Sequence, residues 1–518
     1  MHRKSSPGSF AEIFPRLARL LQAPVAVSVG LCLLAGVFAC FSRNLAIAVS
    51  SFWYFYLCAK IERKHLEQLI LPPLVLLGFQ QLMSVGIGMP LTLYGIQSYG
   101  TNDPQLNAAI WSAQVSQAIG FFFLIVGYWI SGRNCPAFRF PGRLDANPAA
   151  TASILYIIGW LLFIANFIYS AAGITTGFTD RSRIPEFLNK GFGIWSWFVL
   201  FPRLNGMFFI FAPFLFKKSR SLGRKFIIIS LAVIFSFNFL SGSRSAVLTT
   251  VCLLFIGWWL FCLHSKRVVR YGMLFAAFAV PYVPLVAIYR STAAFNNAKQ
   301  IDAVHRLAAV GEVWSSVTIG NLASLMQLAG ESFNGLNDRD IFMRTPDPLP
   351  YVGWQNISRL ENFWLPSLLA PQKKTLWDGN DIVRLYRADD SVAGADISFS
   401  ADMYRRFGWP GIPLGNLLLG LFLGCFFSWV FRLYRRQPVI GFLLLVYFLT
   451  YFPAVPFLTL LETFWLWFWE LPKHLLVLLF FSAFARACFP RWKGPAPATS
   501  RSLKTSGLPA GRAFHGKE

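Results

Sequence analysis

The 518 residues are 55% hydrophobic and 17% aromatic, with a mean hydropathy of +0.51, which excludes a soluble globular domain of ordinary composition. A formal net charge of +24 would suit a nucleic-acid partner, but the charge is gathered in short connections between apolar runs, which excludes that reading in favour of a membrane topology signal.

Apolar runs of bilayer-crossing length recur along the chain, about twelve in all. In chain order they run from Ala23 to Phe41, Leu45 to Ala59, Leu69 to Leu93, Ile110 to Ser131, Thr151 to Ala172 and Phe192 to Phe216. They continue from Phe226 to Leu240, Ala246 to Leu263, Tyr271 to Ile288, Phe407 to Val430, Val439 to Phe457 and Leu471 to Ala485. The expected fold is an all-α polytopic membrane protein. Its expected parts are an N-terminal segment 1–22, membrane helices within 23–289, a large loop domain 290–406, membrane helices within 407–488 and a disordered tail 489–518.

The connections KIERKH, RNCPAFRFPGR, KKSRSLGRK, SKRVVR and RLYRRQ are basic and fall on one side if the helices alternate. The positive-inside rule makes that side the cytoplasm, with both termini there and anionic lipid as the partner of the excess charge. The first apolar run lacks a small-residue cleavage site, so no cleavable signal peptide is expected. The cysteines lie in or beside apolar runs or in a cytoplasmic connection, a pattern without a disulfide framework or thiolate metal site.

The connection from Arg290 to Arg406 lies on the opposite side and is rich in aromatics, including Trp314, Tyr351, Trp354 and Trp364, which argues for an ordered domain. Its start reads as helix and its middle, with Pro346, Pro348 and Pro350, as irregular chain. The DxD spelling Asp338-Arg339-Asp340 reads as a solvated turn, since nucleotide sugars are not expected on that side.

Three arginines carry the functional argument. In SGSRSAVL, Ser241 or Ser243 can cap the eighth helix, Gly242 permits the turn and Arg244 lies in the first helical turn. Dipole, free amides, hydroxyls and guanidinium together form a receptor for an anion such as a diphosphate; a capped helix with a snorkelling arginine is the alternative. In AIYRST, Tyr289 and Arg290 end the ninth helix at a similar depth, where headgroup anchoring is the alternative. Arg203 falls near the centre of the sixth run, where a charge costs at least about 2.5–3.5 kcal/mol and needs a partner or a function. Its alternatives are an ion pair with Glu462 or Glu470, or a helix break at Pro202 that exposes it to water.

SGSRSAVL, YRST, LPSLLAPQKK and SADMYRRFGWPGIPLGNLLLG, in that order, resemble the Wzy-type O-antigen polymerases, the oligosaccharide repeat-unit polymerases, over roughly 226–430. The family's return segment commonly reads Glu-Leu-Tyr, a variable residue, then Asn-Phe-Gly; here Asp402 replaces the Glu and Arg406 the Asn. The resemblance implies a GT-C-like membrane glycosyltransferase with one large periplasmic loop in a bacterial inner membrane. It implies transfer of glycan between undecaprenyl-diphosphate-linked oligosaccharides, donor and acceptor, without metal or cofactor, and a possible chain-length regulator as partner. Arg244 and Arg290, with Arg203, would hold the diphosphates, and Asp402 would act as base, with a helix N-cap as its alternative role. Ser241, Ser243, Tyr289, Lys373, Tyr404 and Arg405 would line the substrate site, with His305 an alternative base or a solvated helix residue. An O-antigen ligase acting on lipid A core and a lipid-linked glycan transporter share the helix number; the transporter lacks support from any internal repeat.

Overall fold

The computed structural model describes 43–62, 73–82, 104–132, 154–164, 202–240, 335–355, 357–360, 397–436, 438–451 and 458–488, with a few further isolated positions. Among these residues the chain is helical and contains no strand. In order, the helices are α1 (Arg43–Ile61), α2 (Pro73–Gln81), α3 (Pro104–Gly132), α4 (Ile154–Ile164), α5 (Pro202–Lys218) and α6 (Ser221–Leu240). After them come α7 (Gly335–Arg344), α8 (Phe399–Phe407), α9 (Gly411–Arg436), α10 (Pro438–Tyr451), α11 (Leu460–Trp465) and α12 (Leu471–Cys488). A π-helical stretch, Leu466–Glu470, joins the last two into one rod.

Among the described residues, three rods are long and apolar enough to cross a membrane: Pro104–Ser131, Gly411–Leu433 and Leu460–Phe484. They are predominantly apolar, as a helix must be when one face meets protein and the other lipid, with buried polar residues turned inward. Leu414, Leu418, Phe422 and Trp429 of α9 remain exposed, while Leu419, Leu423, Phe427 and Val430 of the same helix are buried in the shared core. Aromatic contacts such as Phe427 with Phe448 and Phe426 with Trp467 tie α9 to α10 and to the π-helical stretch.

The tightest pairing is between α3 and α9. Gly420 lies against the Leu124 carbonyl, Gly424 against Ser131 and the Tyr128 carbonyl, and Gly127 against the Leu417 carbonyl, closer than a side chain at any of the three would permit. Gly420 and Gly424 form a GxxxG pair. Small residues at this spacing let two helix backbones approach where lipid supplies no hydrophobic drive for association.

Several boundaries differ from those read in the sequence. The helix expected to start at Phe407 is split: α8 ends there, Gly408 takes φ +69°, and the membrane-length rod begins at Gly411. The positive φ is accessible to glycine at low cost and breaks the helix between two stretches of different polarity. The last rod begins at Leu460, so Glu462 and Glu470 belong to the rod itself. Arg203 is the second residue of α5. The expected N-terminal segment, the helical start of the loop domain and the disordered tail lie outside the described residues.

Candidate functional site

At one end of the α3–α9 pair, α7 and α8 pack on the membrane-length helices around a layer of buried polar side chains. Helix α8 begins because the Ser398 hydroxyl accepts the Ala401 amide at 3.1 Å, a standard N-cap. The cap belongs to Ser398, so the capping alternative for Asp402 is corrected: Asp402 lies inside the helix. Eight of the nine residues of α8 are buried, from Phe399 to Arg406, although the helix carries three charges.

One carboxylate bonds both guanidinium groups, compensating one of the two positive charges. The Arg405 guanidinium donates to Asp402 Oδ1, with Nε at 3.0 Å, and Arg406 Nε donates to Oδ2 at 3.0 Å. The spacing i, i+3 and i, i+4 puts both arginines over the carboxylate. Oδ2 also accepts the Leu460 amide at 2.9 Å, the first amide of α11. Next to it, Thr459 and Glu462 form a reciprocal capping box, with Thr459 N donating to Glu462 at 2.9 Å and Glu462 N to Thr459 at 3.3 Å. Asp402 thus sits at the positive end of a helix dipole between two guanidinium groups. Burial alone would push its carboxyl up, but Arg405, Arg406 and the Leu460 amide together hold it at about 2.

This geometry weighs against the role of general base that the resemblance implies for Asp402. A fully buried carboxylate that accepts from two arginines and an amide holds protons too weakly to remove one from a sugar hydroxyl. Its observed work is to clamp α8 to the start of α11. Arg405 is likewise turned inward, 1% exposed. Tyr404 stacks on Phe342 with ring centroids 4.2 Å apart and donates its hydroxyl to the Thr345 carbonyl at 3.1 Å. Burial pushes its phenol up to about 12, helped by Tyr351 beside it.

A second carboxylate, read in the sequence as part of a solvated turn, is buried within α7. Asp338 Oδ2 accepts Gln117 Nε2 of α3 at 2.6 Å, and Oδ1 accepts the Ser398 amide at 2.8 Å. One carboxylate therefore joins α7, a membrane-length helix and the start of α8. Asn416 of α9 completes the layer, donating to Ser400 at 3.2 Å and to the Ile412 carbonyl at 2.9 Å. Sequence reasoning missed Asp338 and its partner; the available signal was the pair Gln114 and Gln117, two amides one turn apart inside an apolar run.

Burial raises the Asp338 carboxyl from the ordinary 3.8 to about 6 against the pull of the Ser398 and Gln117 hydrogen bonds. A raised carboxyl means the folded protein holds its proton to higher pH than the unfolded chain. Stability is therefore greatest below pH 3.8 as far as this group is concerned and declines up to about pH 6, by about 3 kcal/mol. Asp338→Asn, which keeps the shape without the charge, should melt in detergent at the same temperature at pH 5 and pH 7, after allowance for other groups. The native protein should lose about 1 kcal/mol of stability over that interval, a shift of about one degree in melting temperature, and equal losses in both proteins would refute the assignment.

The structure brings Asp402, Tyr404 and Arg405 together on one helix. Arg203 stands on α5, in a different part of the chain. Ser241, Ser243, Arg244, Tyr289, Arg290, His305 and Lys373 lie outside the described residues. No family model matches the chain, and neither a curated protein nor a solved structure is significantly similar to it.

Proposed function

We propose that this protein is a membrane glycosyltransferase that polymerises oligosaccharide repeat units carried on polyprenyl diphosphate, at the periplasmic face of a bacterial inner membrane. In this reading about twelve helices span the membrane in a GT-C-like arrangement, both termini are cytoplasmic, and the 290–406 connection is the periplasmic domain. The observation that carries it is the order of four motifs: SGSRSAVL, YRST, LPSLLAPQKK, then SADMYRRFGWPG leading into a membrane-length helix. The return segment adds support of a physical kind. Both buried arginines bond Asp402, and Arg406 also bonds the Gly353 and Gln355 carbonyls, so α8 serves as a rigid foundation at the membrane end of the loop.

The chemistry asks for two diphosphate groups held close and for negative charge stabilised on the departing one. Arg244 and Arg290 supply fixed positive charge for both, with Arg203 as a third cation, and the polymer grows as free polyprenyl diphosphate departs. Arginine suits this work because its planar fork bonds two oxygens of one phosphate and stays charged at any physiological pH. His305 is the remaining candidate base for the acceptor hydroxyl.

Binding tests the diphosphate assignment. Native protein in nanodiscs should bind polyprenyl diphosphate, and Arg244→Ala should weaken binding at least tenfold, the loss expected when one charge-assisted contact disappears. Arg224→Ala, at a basic turn assigned to the cytoplasm, should bind as the native protein does. Equal affinity in native and Arg244→Ala protein would return SGSRS to a helix cap with a snorkelling arginine.

A further inference from the structure

The segment after α7 turns back across α8 and ends in a tight loop, Tyr351 to Gln355. Its backbone is pinned from one side. Val352 N donates to the Arg405 carbonyl and Gly353 N to the Arg406 carbonyl, both at 3.0 Å, so the loop satisfies the carbonyls that the C-terminus of α8 would otherwise leave open. Arg406, already held by Asp402 through Nε, donates Nη1 to the Gly353 carbonyl at 3.3 Å and to the Gln355 carbonyl at 3.1 Å. Gly353 adopts φ +55°, a conformation that lets the chain reverse here.

What this rigid loop presents outward is aromatic. Trp354 is 71% exposed, with its ring tilted against Phe407 at a centroid distance of 4.9 Å, and Tyr351 is 42% exposed. Trp409, 43% exposed, stands on the turn that follows α8. Gln355 and Asp347 are exposed on the same segment, so the rings are interleaved with an amide and a carboxylate. A surface destined only for lipid would not mix those groups among its aromatics. Apolar ring faces beside hydrogen-bonding side chains fit a ligand with one apolar C–H face and a rim of hydroxyls, which is the chemistry of a pyranose ring. Fixing the backbone in advance lowers the ordering cost of binding, and Trp and Tyr have few torsions to freeze.

We propose that Tyr351, Trp354 and Gln355, with Trp409 at the rim, form a sugar-stacking platform that holds a pyranose of the glycan chain next to the membrane-length helix α9. The proposal rests on the polymerase reading for its choice of glycan, but binding and elongation fail separately. The probe is oligosaccharide released by mild acid from the cell's own polyprenyl-diphosphate-linked pool, free of lipid, titrated into native and variant protein in nanodiscs. Native protein should bind it. Trp354→Ala should bind at least tenfold more weakly, Trp354→Phe should keep most of the affinity, and Gln355→Ala should lose several-fold, all with native melting temperatures. No binding by native protein, or equal affinity in Trp354→Ala, overturns the platform. Binding through Trp354 by a protein that elongates nothing keeps the platform and removes the polymerase. Elongation with undiminished binding in Trp354→Ala does the reverse.

Discussion

Asp402→Ala should destabilise the folded protein by about 3–5 kcal/mol, the usual consequence of removing one member of a buried ion pair while its partners stay buried. Two arginines at 1% exposure would lose the carboxylate between them, and the Leu460 amide would lose its acceptor at the start of the last rod. The effect should spread along three connections. Helix α8 would loosen from α11, Arg406 would lose its fixed position, and the 351–355 loop would lose the guanidinium that holds its carbonyls. Asp402→Asn keeps an oxygen for the Leu460 amide but lacks the charge, so it should fall between native and alanine. Thermal melting in detergent, with limited proteolysis around 345–360 as a local reporter, measures both. The sign of the acid response follows from the depressed carboxyl. Stability from Asp402 is fully present above pH 3.8 and is lost as pH falls towards about 2, opposite to the trend expected from Asp338. A melting temperature within a degree of native for Asp402→Ala would show that the clamp contributes little.

Gly420→Leu should abolish correct assembly of the membrane helices. The obstacle at this position is backbone: the Leu124 carbonyl and the Tyr128 amide of α3 face the missing side chain, so no rotamer change can make room. A side chain must push the two helices apart, which also separates Gly424 from Ser131 and Gly127 from the Leu417 carbonyl. Overpacking commonly costs about 1–3 kcal/mol, and more where backbone must move, so Gly420→Ala should already lower the melting temperature and leucine should yield aggregated protein. Leu418→Ala, on the exposed face of the same helix, should behave as native. Monodisperse elution in detergent separates these outcomes, and a well-behaved Gly420→Leu protein would contradict the close crossing.

The membrane class was legible because it depends on composition and run length alone, which survive any detail of packing. The rods α3 and α9 fall where apolar runs predicted them. Their ends were less legible, since a boundary is set by caps and by partners distant in the chain. Gly408 looked like one glycine among many until its positive φ placed the break between α8 and α9. Asp402 illustrates a deeper difficulty. Its spacing to Arg405 and Arg406 is visible in the sequence and the i+3, i+4 rule pairs them, while the family resemblance implies a catalytic role for the same carboxylate. Asp338 was misread because an Asp-Arg-Asp stretch is polar as a string, whereas its first carboxylate is buried by Gln117, which is 221 residues away. Long-range pairs of this kind leave only an indirect trace, here a glutamine inside an apolar run.

The reading as a polymerase stands or falls on elongation. The decisive reaction contains native protein in nanodiscs, polyprenyl-diphosphate-linked repeat units and nothing else, without nucleotide sugar or added metal, and its products are resolved by chain length. The account predicts a ladder of lipid-linked oligomers that disappears with Arg244→Ala. Unextended repeat units from well-folded native protein, with glycan passing instead to lipid A core or moving across the membrane unchanged, would contradict it.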